Sequence, residues 1–444
     1  MFTRIVLFLL LCNCLLSQEN VFLSMGQWID GKFVKGYMDS NGYNVFDFKK
    51  GFFYRQIVPY APLPGGQEYP KDANRFTFNE ETKQYDRPKR FITSISQSPI
   101  FFVNGEIYSV VKGGKPLISF QNIEPTGDGN TKSKENTQTK EIVPVMELLV
   151  FLNGEWNLEA SLKTNSMGVI LPLSNGNYLV GLRDGHSVDE NKRELNPFGI
   201  YRKNNRGNLD LVRTIDLENY EIWRDEVSLM PTNIAITDGY YTFISNATGM
   251  IWTFSSNNGR LARSRTLYPD VLESLKSKKR IVPIITCAQP TNNGEILFSA
   301  WSSKLCIEGG KIVELINTTR RQLFSSSSKN EEEEEELKKN IDKMQNSIFE
   351  LDPIVRWYKY DPATGQLTRK PIGPEGSKNI ILSREEYVEY RDWFINEDGT
   401  EIFYMGNSKL AYLIPNEQNR LKKDGKVENT SVKGESKTNA LATK

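Results

Sequence analysis

The stretch "TNIAITDGYYTFISNATGMIWTFSSNNGRLARSRTL", Thr232 to Leu267, decides the fold. TNIAIT, YYTFIS, MIWTFS and RLARSRTL are short runs bounded by turn residues, the first three rich in aromatic and β-branched side chains, as strands are. Asp238-Gly239 separates the first two runs, NATG the next two, and SNNG the last two. Asp-Gly and Asn-Gly suit tight hairpin turns, because glycine has no Cβ and Asp or Asn tolerates a positive φ. Four strands joined so closely make one antiparallel meander.

Outward from this unit the same turn recurs. It stands in WIDGKFV at Asp30, FFVNGEIYSVV at Asn104, LPLSNGNYLVGL at Asn175, PTNNGEILFSAW at Asn293 and FINEDGTEIFYM at Asp398. The closing hairpin WTFSSNNGRLAR is echoed by YKYDPATGQLTR, Tyr358 to Arg369, and by FTFNEETKQYDR, Phe76 to Arg87. Six meanders in succession argue for radial packing, since each sheet has two faces to bury and neighbours of its own kind. The expectation is an all-β chain forming a β-propeller over residues 25–415, with six four-stranded blades and seven as the upper count. A two-domain β-sandwich protein is the competing reading, because strand-and-turn spacing fits both.

The hairpin YDPATGQL and the turn FINEDGTEIF resemble repeats of secreted and periplasmic propellers, the TolB-like and quinoprotein-like groups among them. The resemblance spans roughly residues 25–415 and implies a propeller. TolB-like repeats carry a Ser-Pro-Asp-Gly turn, where this chain has Asn-Glu-Asp-Gly at Asn396 to Gly399.

Across 444 residues, 56 lysines and arginines face 55 acidic residues. Such balance supplies no global field to steer nucleic acid or an anionic membrane, and no nucleic-acid partner is expected. MFTRIVLFLLLCNCLLSQEN reads as an export leader over residues 1–17, with Arg4 before an apolar segment and a cut ahead of Gln18. Ile5 to Leu16 is short for a bilayer span and no later run is longer, so the mature chain is expected to lack a transmembrane segment. Periplasm, cell envelope or secretion follows, with lipid attachment at Cys14 as a variant. Cys287 and Cys306 are expected to form a disulfide, with two buried thiols as the other reading. One cysteine pair and a single histidine cannot close a zinc site. No phosphate loop or dinucleotide fingerprint is present, and no metal or cofactor is expected.

Extra chain falls between the second and third strands: residues 38–74 in the first unit, 113–144 in the second, 183–197 in the third and 302–353 in the fifth. Alternate connections of a meander lie at opposite ends, so these insertions should share one face, and binding sites favour such loops. Within 302–353, Leu337, Ile341, Met344, Ile348 and Leu351 make one helical apolar stripe. It either docks a partner or lies across its own body. Residues 416–444 are polar and aperiodic, and should be a disordered tail.

Two clusters are candidate binding residues. Asp184, His186, Asp189 and Glu190 crowd the loop RDGHSVDENKRE, and Trp223 and Asp225 lie in DLENYEIWRDE, with Trp223 suited to stack on a sugar. No catalytic residue is assigned: His186 is the single histidine and no Gly-x-Ser-x-Gly elbow exists. The reading is an exported scaffold that recognises a protein or glycan through the insertion-bearing face. The alternative is a carboxylate-dependent hydrolase or lyase, for example on glycans.

Overall fold

The computed structural model describes residues 22–36, 42–47, 52–58, 77–79, 84–86, 96–97, 100–113, 145–164, 166–183, 187–189, 192–193, 197–227, 232–325, 331–352, 356–369, 393–395, 402–406 and 409–413. The expected leader (with Cys14), the 416–444 tail and residues 114–144 lie outside them.

A short strand β1 (Phe22–Ser24) precedes the first four-stranded sheet, β2 (Gln27–Ile29), β3 (Lys32–Gly36), β4 (Gly42–Asp47) and β5 (Phe52–Ile57). A separate two-stranded ladder follows, β6 (Thr77–Asn79) and β7 (Gln84–Asp86). In the second sheet, β8 (Ser96–Gln97) and β9 (Phe101–Val103) both pair with β10 (Glu106–Gly113), which continues to β11 (Val145–Leu152) and β12 (Glu155–Lys163). The third holds β13 (Gly168–Pro172), β14 (Asn177–Leu182), β17 (Phe198–Lys203) and β18 (Leu209–Ile215), with the small hairpin β15 (Ser187–Asp189) and β16 (Lys192–Arg193) between its middle strands. The fourth is β19 (Thr232–Thr237), β20 (Tyr240–Ser245), β21 (Met250–Ser255) and β22 (Leu261–Thr266). The fifth is β23 (Ile285–Pro290), β24 (Ile296–Ala300), β25 (Arg356–Tyr360) and β26 (Leu367–Arg369). The last described sheet is three-stranded, β27 (Trp393–Ile395), β28 (Ile402–Gly406) and β29 (Lys409–Leu413). The chain is thus mostly β, in consecutive antiparallel meanders of the kind that make propeller blades.

The turns obey the sequence. Asp30-Gly31 and Asn104-Gly105 hold φ of 50° and 71°, and 52° and 84°, the double positive pair of a type I′ hairpin. Two expectations are corrected in the first unit. Residues 38–74 are not an insertion before its third strand, because β4 and β5 lie inside that range and complete the sheet. Among the described residues the look-alike hairpin at Phe76 to Arg87 joins no blade: its strands β6 and β7 pair only with each other. Its alternation is real; its place in the sheet is not readable from alternation alone.

Each sheet leans on the next. The Phe102 amide donates to Gln27 Oε1 at 2.7 Å, and Tyr43 meets Phe102 edge-on. Tyr178 OH donates to Glu159 across the second and third sheets. The third and fourth are joined by Tyr241 OH donating to the Pro172 carbonyl and Ser174 N donating to Ser256 O at 3.0 Å. The fourth and fifth share a buried hydroxyl chain, Thr242 to Thr253 at 3.2 Å and Thr253 to Tyr360 at 2.8 Å. Between sheets the core is aromatic: Phe198 packs edge-on against Phe243 at 4.7 Å, and Trp223 edge-on against Trp252 at 5.8 Å. Aromatic pairs in these geometries add about 0.5–1.5 kcal/mol beyond area burial.

The outermost strands of three consecutive sheets each carry a one-residue bulge, at Glu159, Val212 and Ala262. Bulges twist an exposed edge and discourage pairing with another chain.

Candidate recognition surface

In a four-stranded meander the first and third connections share one end, and the second connection shares the other end with the link to the next sheet. The first end holds compact glycine turns, at Gly31, Gly105, Gly154, Gly176, Gly207, Gly239, Gly259, Gly294 and Gly365, all with positive φ. The second end carries the β15–β16 hairpin and every described α-helix. These are α1 (Tyr220–Val227), α2 (Pro269–Lys276), α3 (Ser303–Ser325) and α4 (Glu331–Leu351).

Helix α1 links the third and fourth sheets and is pinned from below. Trp223 is 0% exposed, and its Nε1 donates to Thr232 Oγ1 at 2.9 Å. Tyr220 OH donates to the Arg183 carbonyl at 3.3 Å, tying α1 to the neighbouring insertion. Trp223 therefore cannot stack on a sugar. The acidic setting of DLENYEIWRDE suggested an exposed wall, whereas Tyr220 and Trp223, three apart, form the buried face of a helix. Asp225 lies on the same helix and Asp189 ends β15, and the structure describes the backbone of each. Asp184, His186 and Glu190 lie outside the described residues, so the cluster around His186 is not assembled by the geometry at hand.

Helix α2 links the fourth and fifth sheets and buries Val271, Leu272 and Leu275. At its start Tyr268 OH donates to the Trp301 carbonyl at 2.8 Å and meets Tyr358 OH at 3.0 Å. Burial and the neighbouring phenol raise the Tyr268 pKa.

The insertion of the fifth sheet is a helical hairpin. The Ser302 side chain accepts the Leu305 amide at 3.1 Å and starts α3. Gly310 lies so close to the 280–281 backbone that a Cβ there would sit 1.9 Å from Arg280 O; only glycine fits the crossing. Past it α3 runs alongside α4, and Ile316, Ile341 and Ile348 are buried in one continuous core with the fifth sheet. The Leu337–Leu351 stripe is thus covered locally, as an apolar stripe usually is. At 23 residues α3 is about 35 Å long, and Leu315 on its surface is 58% exposed.

Cys306, in the first turn of α3, is a free thiol. The expected bridge to Cys287 is absent from the structure: Cys306 is sealed among apolar residues, and burial pushes its pKa up to about 12.

Sequence reasoning missed α1, α2 and α3. The signal for α2 was legible, with Pro269 at the first turn and Val271, Leu272 and Leu275 at three-four spacing. The signal for α3 is weakened by Gly309-Gly310, two poor helix formers inside it. At the opposite end, on the seam of the second and third sheets, Glu159 accepts from Tyr178 OH and from Lys203 Nζ at 2.7 Å, while Tyr108 OH donates to Glu106. Burial and these carboxylates raise both phenol pKa values. The groups satisfy one another and act as a latch.

No protein-family model matches the chain, and no curated protein matches it. Solved structures similar to it include the periplasmic gluconolactonase of Pseudomonas aeruginosa, at TM-score 0.28 and 11% identity over 86% of this chain and 94% of that one. The Cps50 (Swd1) β-propeller domain of Myceliophteria thermophila aligns at TM-score 0.33 and 11% identity, over 87% and 86%. Hsv2 of Kluyveromyces lactis aligns at TM-score 0.26 and 13% identity, over 63% and 71%. Among the described residues no helix is long and apolar enough to cross a membrane.

Proposed function

We propose that the chain is an exported six-bladed β-propeller that serves as a binding or assembly scaffold, presenting its helix-bearing face to a protein or glycan partner. The six turn signals and the sheet-to-sheet contacts support the ring; the leader-like N-terminus supports export. The observation that carries the functional reading is the asymmetry of the ends. Tight turns occupy one, while the described helices and the β15–β16 hairpin occupy the other, the helices fixed to a rigid body by Trp223, Tyr268 and Gly310. Rigid scaffolds with elaborated loops on one face are the usual build of recognition proteins.

The test compares the mature chain with two variants in capture from native envelope extract. One replaces residues 317–340 by a four-residue glycine-rich turn; the other changes Arg206→Glu and Arg260→Glu on the turn face. The reading predicts a partner retained by the parent and the arginine variant and lost by the shortened hairpin. Loss on the arginine variant alone would move recognition to the other face.

A further inference from the structure

We propose that the inner edge of β19 is a strand-acceptor site for extended peptides, held closed by the chain's own N-terminal strand β1. β1 adds to β19 in parallel, with Phe22 opposite Thr232, Leu23 opposite Asn233 and Ser24 opposite Ile234. The Met25 amide donates to the Ile234 carbonyl at 3.0 Å. Among the described residues, the sheets opening with β2, β13, β23 and β27 gain no such extra strand. The edge of the fourth sheet is thus singled out.

The physical need is plain. With β1 in place Thr232, Ile234, Ala235 and Ile236 are buried, and the added strand covers the N–H and C=O groups along this edge. Unpaired buried backbone groups are costly, and a fifth strand satisfies them. The strand that does so is three residues long and meets the body at a glycine. Behind it Gly26 holds φ +91°, and a Cβ there would lie 2.6 Å from the Phe33 ring and 2.7 Å from Val34 O. Beyond Gly26 the chain is firmly tied: Gln27 accepts from Phe102 N, and Trp28 Nε1 donates to the Pro290 carbonyl at 2.7 Å. Ahead of it, three paired residues and the Met25 bond hold the strap to β19.

A strap of that size opens at far lower cost than the sheet it covers. The exposed edge then offers backbone groups to any extended segment, the mode of recognition by strand addition. The ligand class is an extended peptide pairing in parallel, and the chain's residues 22–25 are its resting occupant. This inference stands on the pairing alone and is independent of the face proposed for partner recognition.

Hydrogen exchange on the unmodified full chain comes first. Amides of residues 22–25 should exchange slower than in a free peptide, yet at least a hundredfold faster than those of β20. Exchange at the free-peptide rate, or as slow as β20, overturns the proposal. The second measurement uses a fluorescent peptide, QENVFLSMG, matching residues 18–26. Met25→Pro removes the amide that bonds Ile234, so this variant should bind the peptide at least tenfold more tightly than the unmodified chain. Equal binding to both chains, or none to a folded Met25→Pro variant, overturns it. Should that variant not fold, the exchange pattern of the unmodified chain decides.

Discussion

The two ends of the sheets are made from the same strands and obey different rules. At the turn end the chain reverses in a few residues, and left-handed glycines fix its path locally. At the helix end, apart from the short links at residues 164–167 and 246–249, the connections are longer, and side chains far apart in sequence hold them, as in Tyr220 to Arg183 or Tyr268 to Trp301. Local chemistry specifies the first end and tertiary packing the second. Changes at the helix end should therefore cost more and spread further.

The largest expected effect tests that directly. Trp223→Ala removes a fully buried indole and leaves Thr232 without its donor. A loss of about 3–5 kcal/mol is expected for such a truncation, read as a large fall in the melting midpoint. A shift within error would mean α1 is not anchored to the body.

Next is Gly310→Ala. The new Cβ meets Arg280 O, so α3 must shift, at about 1–3 kcal/mol. Hydrogen exchange should quicken in α3 and α4 and stay unchanged in β19–β22. Uniform loosening of all the sheets would show that hairpin and body are one cooperative unit.

On the turn end, Gly105→Ala forces a Cβ into φ +84° with open space around it. Strain alone should cost about 1–2 kcal/mol, and denaturant unfolding measures it. A cost above that of Trp223→Ala would reverse the ranking of the two ends.

The smallest effect concerns Cys306. Its folded pKa is raised, so its contribution to stability is complete below the ordinary value of 9.0 and is lost as pH climbs towards about 12. At pH 8 a thiol reagent should leave Cys306 unlabelled in the native chain and label it on unfolding without any reductant. A need for reductant would restore the bridge to Cys287.

The contrast between the ends also explains what the sequence disclosed. The turns at Asp30, Asn104, Asn175, Asp238 and Asn293 were legible because Asn-Gly and Asp-Gly carry their backbone angles with them. The four-stranded unit at Thr232 to Leu267 was read strand by strand. The hairpin at Phe76 to Arg87 misled, since alternation reports a strand and not its neighbours. The surface was read least well. Trp223 sits in a charged stretch, and only the sheets beneath it reveal that its ring points inward. Asp184, His186 and Glu190 fall outside the described residues, and the structure gives their role no further content.

An experimental density map of the chain tests the central claim most directly. The account predicts six sheets around one axis, the first flanked by the second and sixth, helices on one rim, and β1 along the inner edge of β19. Two sheet layers packed face to face, with helices distributed to both ends, would contradict it.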